Sequence, residues 1–504
     1  MFPRHPIPKQ RPLLRMALIG ILALAARPSS AETLAEAHAK LTAQYAAELD
    51  ELAAWCESNG LADEAKTTRG WPLPQAPLTL VVPLVNDSAN EPQEAEGPAA
   101  EAAEWRDRFG KLRQEQGEAL FALARRAAGE KQMTLAYRMV YETLREDPRH
   151  QAARKLLGYK LHDGRWLTPY EVQKAQGKQV WHETFGWLLR TQVERYEAGD
   201  RYYKRRWITA EEEAKLRADI EQGWDIVTEH YQVRTNHSLE EGVRLATRLE
   251  RLHQVWRQLF VRFYLADEQI ARLFKGGVLP KSTMRHQVTY FRDRDEYNRA
   301  LIARQPSIGI TTGYYETDRH TAYFFADKEQ DDSNLYHEAT HQLFSEIRKT
   351  SPETGHEANF WIVEGIACYM ESFAVGGGQR GDSFCTLGGA DATRLQNARA
   401  RLLKDDFHVP LAELTRMGMD ALQRDERIKN LYSQASGLTY FLIHGGDGRY
   451  RDALVDYLSA VYAADDTPGT LAESTGRSYG ELDREYREFL QGPKETGVRS
   501  QESE

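Results

Sequence analysis

Apolar residues recur every three to four positions from Thr33 to Cys56 in an Ala/Leu/Glu-rich stretch, the spacing of one helix face, which predicts a single long amphipathic helix. The period then breaks. Trp71 to Val85 carries four prolines and a β-branched run, and Asn86 to Glu101 is acidic, Pro/Ala-rich and aperiodic, so a flexible linker is expected over 86–103. Helical spacing returns at Ala119 to Ala128 and Met133 to Arg145, and Asp147-Pro148 opens another helix. Strand-like runs follow at Tyr231 to Arg234 and Gln287 to Phe291, with a long helix predicted from Leu239 to Phe263 and a shorter one from Glu296 to Ala303. Ile308 to Thr312 and Thr321 to Phe325 read as the arms of a β-hairpin, and after Asn334 the chain becomes mostly helical.

Two local patterns add detail. The stretch from Ala119 to Tyr159 resembles about one and a half tetratricopeptide repeats, without the opening Trp of that repeat. It implies either a partner-binding surface or a helical hairpin packed on the rest of the protein. Arg165-Trp166-Leu167-Thr168-Pro169-Tyr170-Glu171 and Arg206-Trp207-Ile208-Thr209-Ala210-Glu211-Glu212 then echo one another. In each, Thr is placed as a helix N-cap with an acid three residues on, a capping box behind a tryptophan-anchored turn.

Composition narrows the class. With 41% hydrophobic and 10% aromatic residues, the 504-residue chain has material for several buried cores. The N-terminus has the layout of a secretory signal over residues 1–31: basic Arg4, Lys9, Arg11 and Arg15, an apolar run from Met16 to Ala26, and small Ser29 and Ala31. Cleavage after Ala31 predicts a secreted or periplasmic protein, and no later apolar run is long enough to span a bilayer. The net charge of −9 becomes more acidic once that basic leader is removed, which argues against nucleic acid as a partner. The three cysteines, Cys56, Cys368 and Cys385, are too few for a disulfide framework; Cys368 with Cys385 is the plausible bridge, and buried thiols are the alternative.

The chemistry concentrates in His337-Glu338-Ala339-Thr340-His341, a HExxH motif within a helical pattern. Histidines at i and i+4 lie one turn apart on one face, where two imidazoles can share a Zn²⁺, and the intervening Glu is placed to act as a general base. A third protein donor is needed. The metzincin arrangement is excluded, because Phe344 and Ile347 stand where it requires Gly and His. Four other donors lie near. Glu346 follows His341 by five residues and points away from the imidazoles, while His356 and Glu357 fall in a polar loop. Glu364 sits in the apolar helical run Phe360 to Met370, where an unpaired carboxylate would be costly and a bound metal offsets that cost.

HExxH followed by Trp361-Ile362-Val363-Glu364-Gly365-Ile366-Ala367 resembles the gluzincin zinc peptidases, particularly the aminopeptidase-N-like branch and a related group of exported, largely uncharacterised peptidases. The resemblance covers roughly residues 230 to 490 in layout and is sharp only at these two motifs. It implies that His337, His341 and Glu364 bind one Zn²⁺ per chain and that Glu338 is the general base. Tyr432, in Tyr432-Ser433-Gln434-Ala435, resembles the aminopeptidase tyrosine that stabilises the oxyanion; Tyr440 and His444 are weaker candidates, and packing is the alternative for all three. No Gly-x-Met-Glu-Asn motif precedes HExxH, which leaves exopeptidase specificity without its usual anchor. Cys368 stands where thermolysin-like enzymes place an acid that orients a ligand histidine, and Glu371, one turn on, is the candidate for that role. In such folds the strand before the active helix pairs with extended substrate, a role expected of Ala322 to Phe325, with Tyr314 and Tyr315 as subsite or packing residues.

The expected architecture is α+β and predominantly helical: a zincin-like catalytic domain with a small mixed sheet over 226–492 and a disordered tail over 493–504. Ahead of it come an N-terminal helix and Pro-containing segment over 32–85, the linker, and a helical, partly tetratricopeptide-like region over 104–225. The expected function is an exported zinc metallopeptidase acting on peptide or protein substrates. The alternative is an inactive peptidase-like scaffold that recruits a protein partner through its helical N-terminal region. A lesser possibility is that cutting the 86–101 segment activates the enzyme.

Overall fold

Thr33 accepts a hydrogen bond from the Glu36 amide at 3.2 Å while the Glu36 carboxylate accepts from the Thr33 amide at 2.8 Å, and this capping box starts the predicted first helix, Leu34–Ser58. The structure is a computed structural model and describes residues 32–85, 99–280, 284–327, 331–376 and 384–492. The expected leader, most of the expected linker and the C-terminal tail lie outside these residues. The chain is mostly helical with small sheets, an α+β fold. Among the described residues no helix is long and apolar enough to cross a membrane.

Leu34–Ser58 packs with Ala62–Arg69 and the 31-residue helix Ala99–Gly129 around Leu49, Leu52, Trp71, Trp105 and Phe109. That third helix begins inside the span expected as linker, so residues 99–103 belong to a packed helix. Met133–Glu146 turns back against it, burying Met133, Ala136, Tyr137, Val140 and Leu144 along one face. The helix opened by Asp147-Pro148 is only Gln151–Leu156, and Gly158, with φ of +86°, turns the chain away. A helical hairpin is therefore present, but it is not followed by a second full repeat.

The tryptophan echo has three members. The hairpins Lys160–His162/Arg165–Leu167, Gln179–His182/Gly186–Leu189 and Asp200–Tyr203/Arg206–Thr209 are each followed by a short helix. The middle member carries Trp187 but lacks the Thr cap, entering its helix through a 3₁₀ turn at Arg190–Gln192 instead. Tyrosine links each unit to the next: Tyr170 from the first helix lies edge-on to Trp187 at 5.9 Å, and Tyr196 from the second lies edge-on to Trp207 at 6.0 Å. Only Thr168 closes a full capping box; Thr209 accepts from the Glu212 amide alone.

Beyond residue 223 a five-stranded sheet runs in the order Tyr314–Glu316, Thr321–Phe325, His286–Phe291, Tyr231–Thr235, Trp224–Val227. The three central strands are parallel and both edge strands antiparallel. The predicted hairpin is present with a shifted first arm. Ile308–Ile310 forms a 3₁₀ turn with Ile308 buried and Ile310 exposed, and pairing begins only at Tyr314, opposite Tyr323. The long helix Leu239–Leu259 covers the sheet with Val243, Leu249, Leu252 and Trp256, and its close approach depends on Gly242, where a Cβ would lie 2.6 Å from Ile226 Cδ1.

The Pro-containing segment also departs from expectation. Thr79–Pro83 is a strand, antiparallel to Phe384–Gly388, and Val82 and Leu84 enter the same core as the sheet and the C-terminal helices. Gln258 donates to the Pro83 carbonyl at 2.8 Å, so even the imino position is tied to the Leu239–Leu259 helix. Cys56, Cys368 and Cys385 are free, buried thiols, so the candidate bridge between Cys368 and Cys385 is not formed.

Candidate metal centre

The HExxH motif lies on the helix Ser333–Glu346, which buries Leu335, Tyr336, Ala339, Leu343 and Phe344 and turns His337 and His341 toward the helix Phe360–Met370. Every residue of that second helix is buried, Glu364 among them. Gly365 sets its depth. A Cβ there would lie 2.5 Å from Thr439 Oγ1 and 2.9 Å from the Ala435 carbonyl, so the glycine lets the helix Ile428–His444 press against Glu364.

Three ligand atoms meet at this crossing. His337 Nε2 and His341 Nε2 are 3.2 Å apart, and Glu364 Oε2 lies 3.4 Å from the first and 3.7 Å from the second. Donors about 2.0–2.2 Å from a tetrahedral zinc stand about 3.3–3.6 Å from one another, close to the edges of this triangle. Burial alone would raise the Glu364 pKa, but His341 and His337 outweigh it and hold the carboxyl well below its usual range.

The ring of His337 is fixed from behind. Its Nδ1 lies 2.8 Å from Glu371 Oε1, and Arg394 grips both Glu371 oxygens at 2.7 Å. With Nδ1–H donating to Glu371, the Nε2 lone pair faces the triangle. Burial disfavours a charge on His337, yet hydrogen bonding to Cys368, Glu364 and Glu371 prevails and lifts its pKa well above the ordinary value.

Glu338 faces the sheet edge. Its Oε2 accepts the Tyr315 amide hydrogen at 3.0 Å, and a Cβ at Gly313 would stand 3.0 Å from its Cγ. The edge strand beside the centre is thus Tyr314–Glu316, which covers Thr321–Tyr323, whereas Phe324 and Phe325 pair only with Tyr290 and Phe291 on the other side. The expectation that Ala322 to Phe325 pairs with extended substrate is corrected for its first half: the backbone at Ala322 and Tyr323 is already paired with Tyr315 and Tyr314. Tyr432, half-buried, interacts with Glu364; burial and that carboxylate raise its pKa, which keeps the phenol protonated. Tyr440 is fully buried against Tyr369, with ring centroids 4.8 Å apart, and His444 bonds the Tyr369 hydroxyl at 3.0 Å, so both serve packing. Burial, with Arg451 nearby, pushes the His444 pKa down to about 3.

The other donors weighed for the third position lie elsewhere. Glu346 is engaged by His286 at 2.5 Å, Tyr315 at 3.0 Å and Gln342 at 3.1 Å, and His356 pairs with Glu353 at 3.2 Å. Arg394 was not visible from sequence, being one exposed-looking arginine in an amphipathic helix. A separate group, His230, Glu250 and His253, also brings potential ligand atoms together. Its imidazoles stack at 3.8 Å with planes 24° apart, so their lone pairs run nearly side by side, and Glu250 is engaged by the backbone and ring of His230 at 2.8 and 2.7 Å. That arrangement is an ion pair with a stacked neighbour. Only the spacing of Glu250 and His253 on one helix hinted at it.

Residues 332–465 match the model of a protein family described as "Protein of unknown function (DUF1570)". The matched stretch holds both helices of the candidate centre, Glu371, Arg394 and Tyr432. No curated protein matches the chain.

Proposed function

We propose that this chain is an exported, gluzincin-like zinc metallopeptidase that hydrolyses peptide bonds. The observation that carries the reading is the His337–His341–Glu364 triangle, with edges of 3.2, 3.4 and 3.7 Å, next to a carboxylate aimed at a sheet edge. When bound there, zinc would supply Lewis acidity toward water and the scissile carbonyl.

The protein's own groups divide the remaining work. Glu338, oriented by the Tyr315 amide, takes the proton of the attacking water and returns it to the leaving amine. Tyr432, kept protonated, donates to the oxygen on which negative charge develops. Glu371 and Arg394 hold His337 in the tautomer that leaves Nε2 free. The edge strand Tyr314–Glu316, whose Tyr315 amide is taken by Glu338, would flank an extended substrate on the side of Glu338.

The test is direct. Purified protein should carry about one zinc per chain and cleave an unstructured peptide mixture, losing activity to a chelator and regaining it with zinc. Zinc retained by a folded protein that cleaves nothing across a broad peptide mixture would favour the scaffold alternative.

A further inference from the structure

A groove of about 430 Å³ adjoins the centre and shares two residues with it, Tyr432 and Arg394. Arg394, Asn397 and Arg401, spaced at i, i+3 and i+7, project from one face of the helix Thr393–Lys404, and Lys429 and Tyr432 face them from Ile428–His444. Three cations line this groove and no carboxylate does, in a chain whose net charge is −9.

The cations keep donors in reserve. Arg394 uses Nε and Nη2 on Glu371, and Arg401 uses Nη1 on Asp405 at 2.6 Å, which leaves Nη1 of the first and Nε and Nη2 of the second unengaged among the described residues. Lys429 makes no ion pair among the described residues, and its side chain is exposed. A planar carboxylate suits such guanidinium edges, and a point charge on Lys429 adds long-range attraction.

We infer that this groove is a subsite for a substrate carboxylate located near the scissile bond. The inference rests on the peptidase reading and deepens it: the substrate class is peptides carrying an acidic side chain, or a free C-terminal carboxylate, a few residues from the cleaved amide. Those two sources share one chemistry and are separated by experiment.

Four versions of one unstructured peptide are compared, with Glu or Gln near the cleavage site and with a free or amidated C-terminus. Cleavage by the zinc-loaded wild type and equilibrium binding to the Glu338→Gln protein are both measured. A carboxylate in reach should raise kcat/KM and affinity about tenfold, an effect that shrinks with added salt. Lys429→Gln and Arg401→Gln should bring the acidic-to-neutral ratio towards one. Because the readout is a ratio, partial unfolding does not imitate it. Preference for Glu irrespective of the terminus assigns the groove to a side chain, and preference for the free terminus assigns it to the chain end. Equal cleavage and binding of all four peptides overturns the subsite and leaves the peptidase reading standing. Carboxylate-dependent binding without cleavage upholds the subsite and sinks the peptidase, and neither binding nor cleavage of any peptide sinks both.

Discussion

His337 Nδ1 lies 2.8 Å from the Oε1 of Glu371, the residue that caps the helix Phe360–Met370 two turns beyond Glu364 on the same face. The pairing fixes the imidazole, and Arg394 prevents the carboxylate from swinging away. Glu371→Gln or Arg394→Met should therefore weaken zinc binding about 10- to 100-fold while leaving His337, His341 and Glu364 intact. Competition with a chromophoric chelator checks this; unchanged affinity in both variants would show that the pair plays no positioning part.

Removing the Glu338 carboxylate should separate binding from turnover. Glu338→Gln keeps the Tyr315 amide contact through its carbonyl oxygen and should retain zinc, but lose about 10²- to 10⁴-fold in peptide cleavage. Metal analysis alongside single-turnover rates decides it.

Gly365 offers a packing test. A methyl group at this position meets Thr439 Oγ1 and the Ala435 carbonyl at 2.5 and 2.9 Å, and one of these is backbone. Gly365→Ala should destabilise the fold by about 1–3 kcal/mol despite the better helix propensity of Ala. Denaturant midpoints of the two proteins measure the difference, and a stabilised variant would contradict the close approach.

The pair His230–Glu250 provides a pH signature away from the metal centre. Burial lowers the His230 pKa, but the Glu250 charge and hydrogen bond outweigh it and raise it above the ordinary value. A raised histidine stabilises the fold fully below its unfolded pKa of about 6.5, and that contribution is lost as pH rises through the folded value. In Glu250→Gln only the Glu229 charge still opposes burial, so the His230 titration should move down, and the stability it lent at acidic pH should shrink. Titration of the His230 ring proton by NMR in both proteins reads the sign.

What was legible in the sequence was periodic or locally spaced. Two histidines four apart, a buried acid in an apolar helix and the helices themselves each leave a pattern within a few turns of chain, and the structure brings His337, His341 and Glu364 together as that pattern implied. Arg394 acts on His337 through Glu371 from a helix remote in sequence, and no local spacing records such a contact. The middle tryptophan hairpin leaves no matching local pattern, because Leu189, Arg190 and Thr191 replace the Thr cap of its neighbours with a 3₁₀ turn. The first arm of the Tyr314–Phe325 hairpin was misplaced for a related reason. Ile308 and Ile310 are β-branched but have no strand opposite them, and propensity without a partner does not make a ladder.

Thr79–Pro83 lies against Phe384–Gly388, and the Gly388 position admits no side chain because a Cβ would stand 2.4 Å from the Leu78 carbonyl. Order along the chain is thus not order in space: a segment ahead of the long N-terminal helical hairpin completes the sheet whose other members lie between Glu371 and Arg394. A fragment trimmed to begin at residue 104 or 226 would bare the backbone of Phe384–Gly388 and leave the sockets of Val82 and Leu84 empty. The half that holds the His337–His341–Glu364 triangle is therefore tied to the chain's own beginning through that strand.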